Sequence, residues 1–102
     1  MNLNLKSSLF INESLSLKNR VVVPPMASGT ATKDGFVTTD TINHYERLAG
    51  SRASLVMVEY TYISPDGKSE ANQLGIDKDE QIDGLKKLSQ AIHNQGAASA
   101  IQ

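Results

Sequence analysis

Few side chains in this sequence are equipped for chemistry, and their positions narrow what that chemistry could be. Glu59 closes the apolar run Leu55–Val58 and precedes a long polar stretch. A lone carboxylate at a strand end either moves a proton or fixes the backbone donors of the loop it opens, and the second use is the commoner. His44 stands off the apolar stripe of its helix beside Tyr45, a structural position. His93 falls near a helix C-terminus, where an imidazolium is mildly favoured by the dipole, and has no partner at metal-ligand spacing. The acidic run Asp77–Asp83 suits a helix N-terminus, where negative charge is stabilising. There is no cysteine, so disulfides and thiolate metal sites are excluded. No metal ligand and no catalytic residue is assigned.

The bulk composition removes several function classes. The 102 residues are 39% apolar and 21% charged, with a net charge of −1. That balance provides neither a basic stripe for a phosphate backbone nor a polybasic patch for a membrane surface. Nucleic acid and membranes are therefore not expected partners. The opening MNLNLKSSLF lacks the apolar core of a signal peptide. The runs Val21–Val23 and Leu55–Val58 are far short of the ~20 residues of a spanning helix. A cytoplasmic location is the expectation.

The elements that must position these residues alternate. Leu9–Ile11 and Leu15–Leu17 are strand-like pieces around Asn12-Glu13, a hairpin pattern. Arg20–Val23 is a β-branched run that Pro24-Pro25 must end, because proline cannot donate to a ladder. Residues 27–37 are small and polar, with Asp34-Gly35 as a turn signal. Thr38 or Thr39 can cap a helix with Ile42, Tyr45, Leu48 and Ala49 on one stripe and Gly50 as its stop. Ala53–Val58 is a nearly continuous apolar run of the kind buried on both faces. A loop from about Tyr60 to Lys78 contains the turn Pro65-Asp66-Gly67. Asp79 can cap a second helix, with stripe Ile82, Leu85, Leu88 and Ile92, and Gly96 at its C′ position. Ala97–Gln102 is the next strand.

The order β-α-β-α-β predicts an α/β fold with parallel strands and right-handed crossovers. Long loops after strands and short turns after helices are the habit of a (β/α)8 barrel. No glycine-rich fingerprint follows any strand, as a dinucleotide-binding Rossmann unit would require. A barrel of this type takes ~250 residues, so the expectation is the N-terminal β-α-β-α-β portion of a TIM barrel, incomplete as given.

Four pieces in order carry a more specific signal. Leu17-Lys18-Asn19-Arg20 leads into the first barrel strand, which ends at Pro25-Met26. Asp34-Gly35 is followed by Thr39 and the pair His44-Tyr45. Val58-Glu59 closes the second strand before Pro65-x-Gly67. Leu74-Gly75-Ile76 precedes the second helix, then Gly96 and a strand ending Ile101-Gln102. From about Leu9 to Gln102 the chain resembles the opening of the old yellow enzyme family of NADH:flavin oxidoreductases.

That resemblance implies residues 1–102 as the N-terminal part of one FMN-binding TIM-barrel domain. It implies FMN as cofactor, NAD(P)H as reductant, and an activated alkene, enone or enoyl thioester as the small-molecule acceptor. Carried over by position, the backbone at Pro25 and Met26 lines one side of the flavin ring. Ala27 falls near its C4/N5 edge, Tyr60 meets the same region through its backbone, and the Gln102 amide bonds the pyrimidine end. Two positions depart from the family pattern. Residue 27 is commonly Thr or Cys, so Ala27 leaves no polar side chain to tune the flavin. Residue 60 is commonly Ala or Gly, so the Tyr60 phenol must swing away or narrow the pocket. The family's carbonyl-polarising pair and proton donor come from later strands. A second reading takes the chain as a non-catalytic α/β module that self-associates, as a homo-oligomer, through exposed strand edges.

Overall fold

The computed structural model describes residues 3–102. Strands β1 (Leu9–Asn12) and β2 (Leu15–Leu17) pair antiparallel. The Asn12 side-chain oxygen accepts the Ser14 N–H at 2.9 Å, so the asparagine itself builds the reversal.

The first barrel strand is shorter than expected, with β3 confined to Val22–Val23. Its predecessors give their N–H groups elsewhere. Arg20 donates to the Leu5 carbonyl at 2.8 Å, and Val21 to Asn19 Oδ1 at 3.0 Å. Helix α1 (Thr39–Ala49) starts at Thr38 with a reciprocal box: Thr41 N–H donates to Thr38 Oγ1 and Thr38 N–H to Thr41 Oγ1, both at 3.1 Å. Gly50 caps the other end at φ −70°, and the left-handed residue of the turn is Arg52 at φ +74°. Asn19 Nδ2 holds that turn by donating to the Arg52 carbonyl at 2.9 Å.

Strand β4 is Leu55–Val58 and β5 is Ala98–Ile101, and the sheet order β3-β4-β5 is parallel throughout. Helix α2 (Ile82–Asn94) connects them, entered through a 3₁₀ turn at Asp79–Gln81. Asp79 is therefore not its cap. Gln81 is the residue at that position, and its Oε1 accepts from the N–H groups of Asp77 and Lys78 ahead of the 3₁₀ turn, at 2.9 and 3.2 Å, and from none in the first turn of α2. Gly96 has φ +88° and donates to the His93 carbonyl, the C′ geometry expected of it.

The register sorts the faces. Val23, Val56 and Ser99 align, as do Val58 and Ile101 one step on. This face meets the helices in a core of Tyr45, Ala49, Val56, Val58, Leu88 and Ile92. The other face holds Leu55 and Met57, only half-buried, and Val22, 40% exposed. Burial of Ala53–Val58 on both faces is thus corrected: one face is covered. Ile82 is also exposed, because the helix begins there and its buried stripe runs through Leu88, Ala91 and Ile92. Both helices pack on each other and on one side of the sheet. A doubly wound sheet would divide its helices between two faces, so this is barrel-like winding. Among the described residues no helix is long and apolar enough to cross a membrane.

Candidate functional site at the C-terminal end of the sheet

Parallel strands deliver their following residues to one end of a sheet, and here that end collects Pro25, Met26, Ala27, Tyr60 and Gln102. Gln102 is tied to the neighbouring strand end by its backbone. Its N–H donates to the Val58 carbonyl at 3.2 Å, and its carbonyl accepts from Thr61 at 3.0 Å. Its side-chain amide bonds none of the described residues, and the residue is exposed. After β3, Met26 and Ala27 are exposed, and none of the loop hydrogen bonds among the described residues uses their backbone.

The two long loops are bound to each other. Tyr62 pairs with Gly75 as an isolated parallel bridge, and Gly75 N–H donates to the Gly35 carbonyl at 3.0 Å. Asn72 Nδ2 donates to the Ala31 carbonyl at 2.8 Å, Gln81 Nε2 to that of Asp34 at 3.1 Å, and Lys68 Nζ to that of Lys33. The buried Tyr62 ring lies against Gly35 and Gly75, where a Cβ on either glycine would collide with it.

Beneath the loops sits a buried polar cluster. Glu59 is 1% exposed, and its Oε2 accepts from Tyr45 Oη at 2.5 Å and from Ser28 Oγ at 2.7 Å. Glu59 N–H in turn donates to Tyr45 Oη at 2.8 Å. Burial first, and the bond to Glu59 second, push the Tyr45 phenol far above its ordinary value, so it stays a donor. Ser28 Oγ lies 2.8 Å from Thr30 Oγ1, which donates to Thr41 Oγ1 at 2.8 Å. Thr38 Oγ1 donates to the Thr30 carbonyl at 2.7 Å. The Glu59 carboxylate therefore holds two side-chain hydroxyls, one from the loop after β3 and one from α1, where the sequence suggests backbone donors of the loop it opens.

Tyr60 is half-buried, with its phenol beside the Glu70 carboxylate of its own loop. Desolvation first and Glu70 second raise its pKa. His44 meets Tyr45 edge-on at 5.0 Å between ring centroids, a packing role. His93 Nε2 lies 3.0 Å from Ser99 Oγ on the helix side of the sheet. Among the described residues no group of His, Cys, Asp or Glu is arranged to hold a metal ion.

Sequence reasoning missed Ser28, Thr30 and Thr41, and took Tyr45 as apolar core. A signal was present: a buried phenol and a buried carboxylate each need a partner, and both were assigned to buried elements.

The model of the NADH:flavin oxidoreductase / NADH oxidase family matches residues 9–102. The chain belongs to this family. An NADPH dehydrogenase of Halalkalibacterium halodurans is 38% identical over 96 residues, covering 93% of this chain and 28% of that protein. Morphinone reductase superposes with a TM-score of 0.88 at 32% identity, over 100% of this chain and 26% of the reductase. Old yellow enzyme from Pichia sp. AKU4542 gives 0.88 at 27% identity, over 98% of this chain and 26% of that enzyme. The chain thus spans about a quarter of the length of the relatives it matches. These neighbours are old yellow enzyme TIM barrels, and the chain has the fold of their opening β-α-β-α-β portion.

The residues present suit FMN. Backbone groups free around Met26 and Ala27, and an amide free at Gln102, offer donors and acceptors to a ring edge that carries both. Ala27 contributes no polar side chain, and the next hydroxyl, Ser28, is committed to Glu59.

Proposed function

We propose that this chain is the first part of a single FMN-binding barrel domain, in a protein that reduces an activated alkene, enone or enoyl thioester at the expense of NAD(P)H. The observation that carries the reading is the convergence of Met26, Ala27, Tyr60 and Gln102, with unused polar groups, at the sheet end used by a matching family. Pro25 and Met26 would line one side of the isoalloxazine, Ala27 and the Tyr60 backbone its C4/N5 region, and the Gln102 amide its pyrimidine end. FMN, when bound, supplies two-electron transfer between the nicotinamide and the acceptor. These residues hold and orient it, and the bonds between the loops after β3 and β4 fix that end of the sheet. On this reading the Tyr60 backbone is the contacting group. The domain works in the cytoplasm on this reading, which the cysteine-free sequence suits.

The test is a visible spectrum of the longer protein of which this chain is proposed to be the first part, followed by NADPH consumption with an enone such as 2-cyclohexenone. Flavin absorbance near one per chain with enone-dependent oxidation is the expected result. A protein free of flavin that takes up no added FMN would remove the proposal. The second reading, a self-associating module, draws on Val22 and Ile101 at the two outer strands of the sheet, 40% and 43% exposed. A colourless protein that sediments as a discrete oligomer would favour it.

A further inference from the structure

We infer that Glu59 is a positioning residue that sets the distance between the two backbone edges of the FMN site, an inference that rests on the reading above. Ala27 has no side chain with which to fix its own place. Its neighbour Ser28 does, and that hydroxyl donates to Glu59 Oε2 at 2.7 Å. Glu59 in turn immediately precedes Tyr60. One carboxylate therefore ties residues 27–28 to residues 59–60, the pair of segments assigned to the same region of the ring.

The tie is referred to a fixed point. Tyr45, 1% exposed within α1, donates to the same carboxylate oxygen and accepts the Glu59 N–H. This closed exchange holds the carboxylate and the peptide ahead of Tyr60 as one body. The first turn of α1 adds a second anchor, through Thr41 to Thr30 Oγ1 and Thr38 to the Thr30 carbonyl. Directional bonds to a charged group are costly to bury, and an apolar contact would serve packing alone. What hydrogen bonds add is a set distance. The neighbouring Gly29, at φ +66° with open space around it, gives the loop no steric guide of its own.

The experiment compares Ser28→Ala, Glu59→Gln, Glu59→Ala and Tyr45→Phe in the FMN-loaded protein. Three readouts are taken: FMN dissociation constant, flavin visible spectrum, and melting temperature of the apoprotein. Ser28→Ala removes one surface-proximal bond, so it is expected to fold while weakening FMN by about tenfold and shifting the flavin bands. Tyr45→Phe should give the same spectral shift. Glu59→Gln keeps a carbonyl oxygen able to accept both bonds, so it should retain more affinity than Glu59→Ala. Lowered melting temperatures with parental FMN affinity and spectrum in Ser28→Ala and Tyr45→Phe would overturn the inference, leaving the carboxylate a support of the fold. If Glu59→Ala does not fold, Ser28→Ala and Tyr45→Phe decide the matter. A parent protein that binds no FMN would overturn the FMN reading itself, and this inference with it.

Discussion

Glu59 and Tyr45 each supply what burial denies the other. The carboxylate accepts a hydrogen bond from the phenol, and the phenol oxygen accepts one from the Glu59 N–H. This exchange has a measurable pH signature. Tyr45 is raised above its unfolded value of about 10, so the folded state holds its proton where the unfolded state releases it. The stability from this group is fully present below about pH 10 and falls as the pH rises above it. Its slope approaches about 1.4 kcal/mol per pH unit. Denaturant unfolding of parent and Tyr45→Phe between neutral pH and pH ~11 should show the steeper alkaline loss in the parent. Equal slopes would mean that Tyr45 is not held as described. At the same scale, Gln102→Ala should weaken FMN binding by about 1–3 kcal/mol, since a polar edge loses its partner. Titration calorimetry with unchanged affinity would show that Gln102 does not meet the ring.

At the scale of elements, the long loops after β3 and β4 are neither lids nor free tethers. The Gly75 N–H of the second loop donates to the Gly35 carbonyl of the first, and three side chains donate across to further carbonyls of the first loop. Gly35 is the tightest point, with φ +81° and the Gly75 nitrogen 2.9 Å from where a Cβ would stand. Gly35→Ala adds both a left-handed penalty of about 1–2 kcal/mol and an overpacking cost of about 1–3 kcal/mol. Thermal melting should register it as a destabilisation of several degrees. Gly29→Ala meets no atom within 4 Å and should cost only the left-handed term. The element types were legible because each follows from near neighbours: Pro24 ends β3, Thr38 starts α1 and Gly96 ends α2. The ends were less so. Asn19 takes the Val21 N–H that the local pattern left to the β3 ladder, and a 3₁₀ turn at Asp79–Gln81 moves the start of α2 past Asp79.

For the molecule as a whole, the described strands make an open parallel sheet with its helices on one side. Val22, 40% exposed, lies on the uncovered face of one outer strand, and Ile101, 43% exposed, lies on the helix side of the other. In a closed barrel such positions meet further strands and an interior packed with side chains. The 102-residue chain by itself is therefore expected to bind an apolar dye and to associate with concentration, because open edges pair with one another. Analytical ultracentrifugation of the chain and of Ile101→Lys tests this, with less association expected in the variant. A monomeric parent chain that binds no dye would contradict it.

Much of this protein follows from the sequence alone, because the governing forces are local or periodic. Apolar spacing set the order β-α-β-α-β, prolines and glycines set its breaks, and the ordered pieces from Leu17 to Gln102 pointed to the flavin oxidoreductases. Glu59 stood out as a lone carboxylate at a strand end, suited to fixing donors of the loop it opens. What only the tertiary structure decided is its set of partners. Ser28 and Tyr45 stand 31 and 14 residues away, and no spacing rule brings them to one oxygen. Burial of a charge forces some such pairing, but the winding of the sheet chooses which hydroxyls arrive.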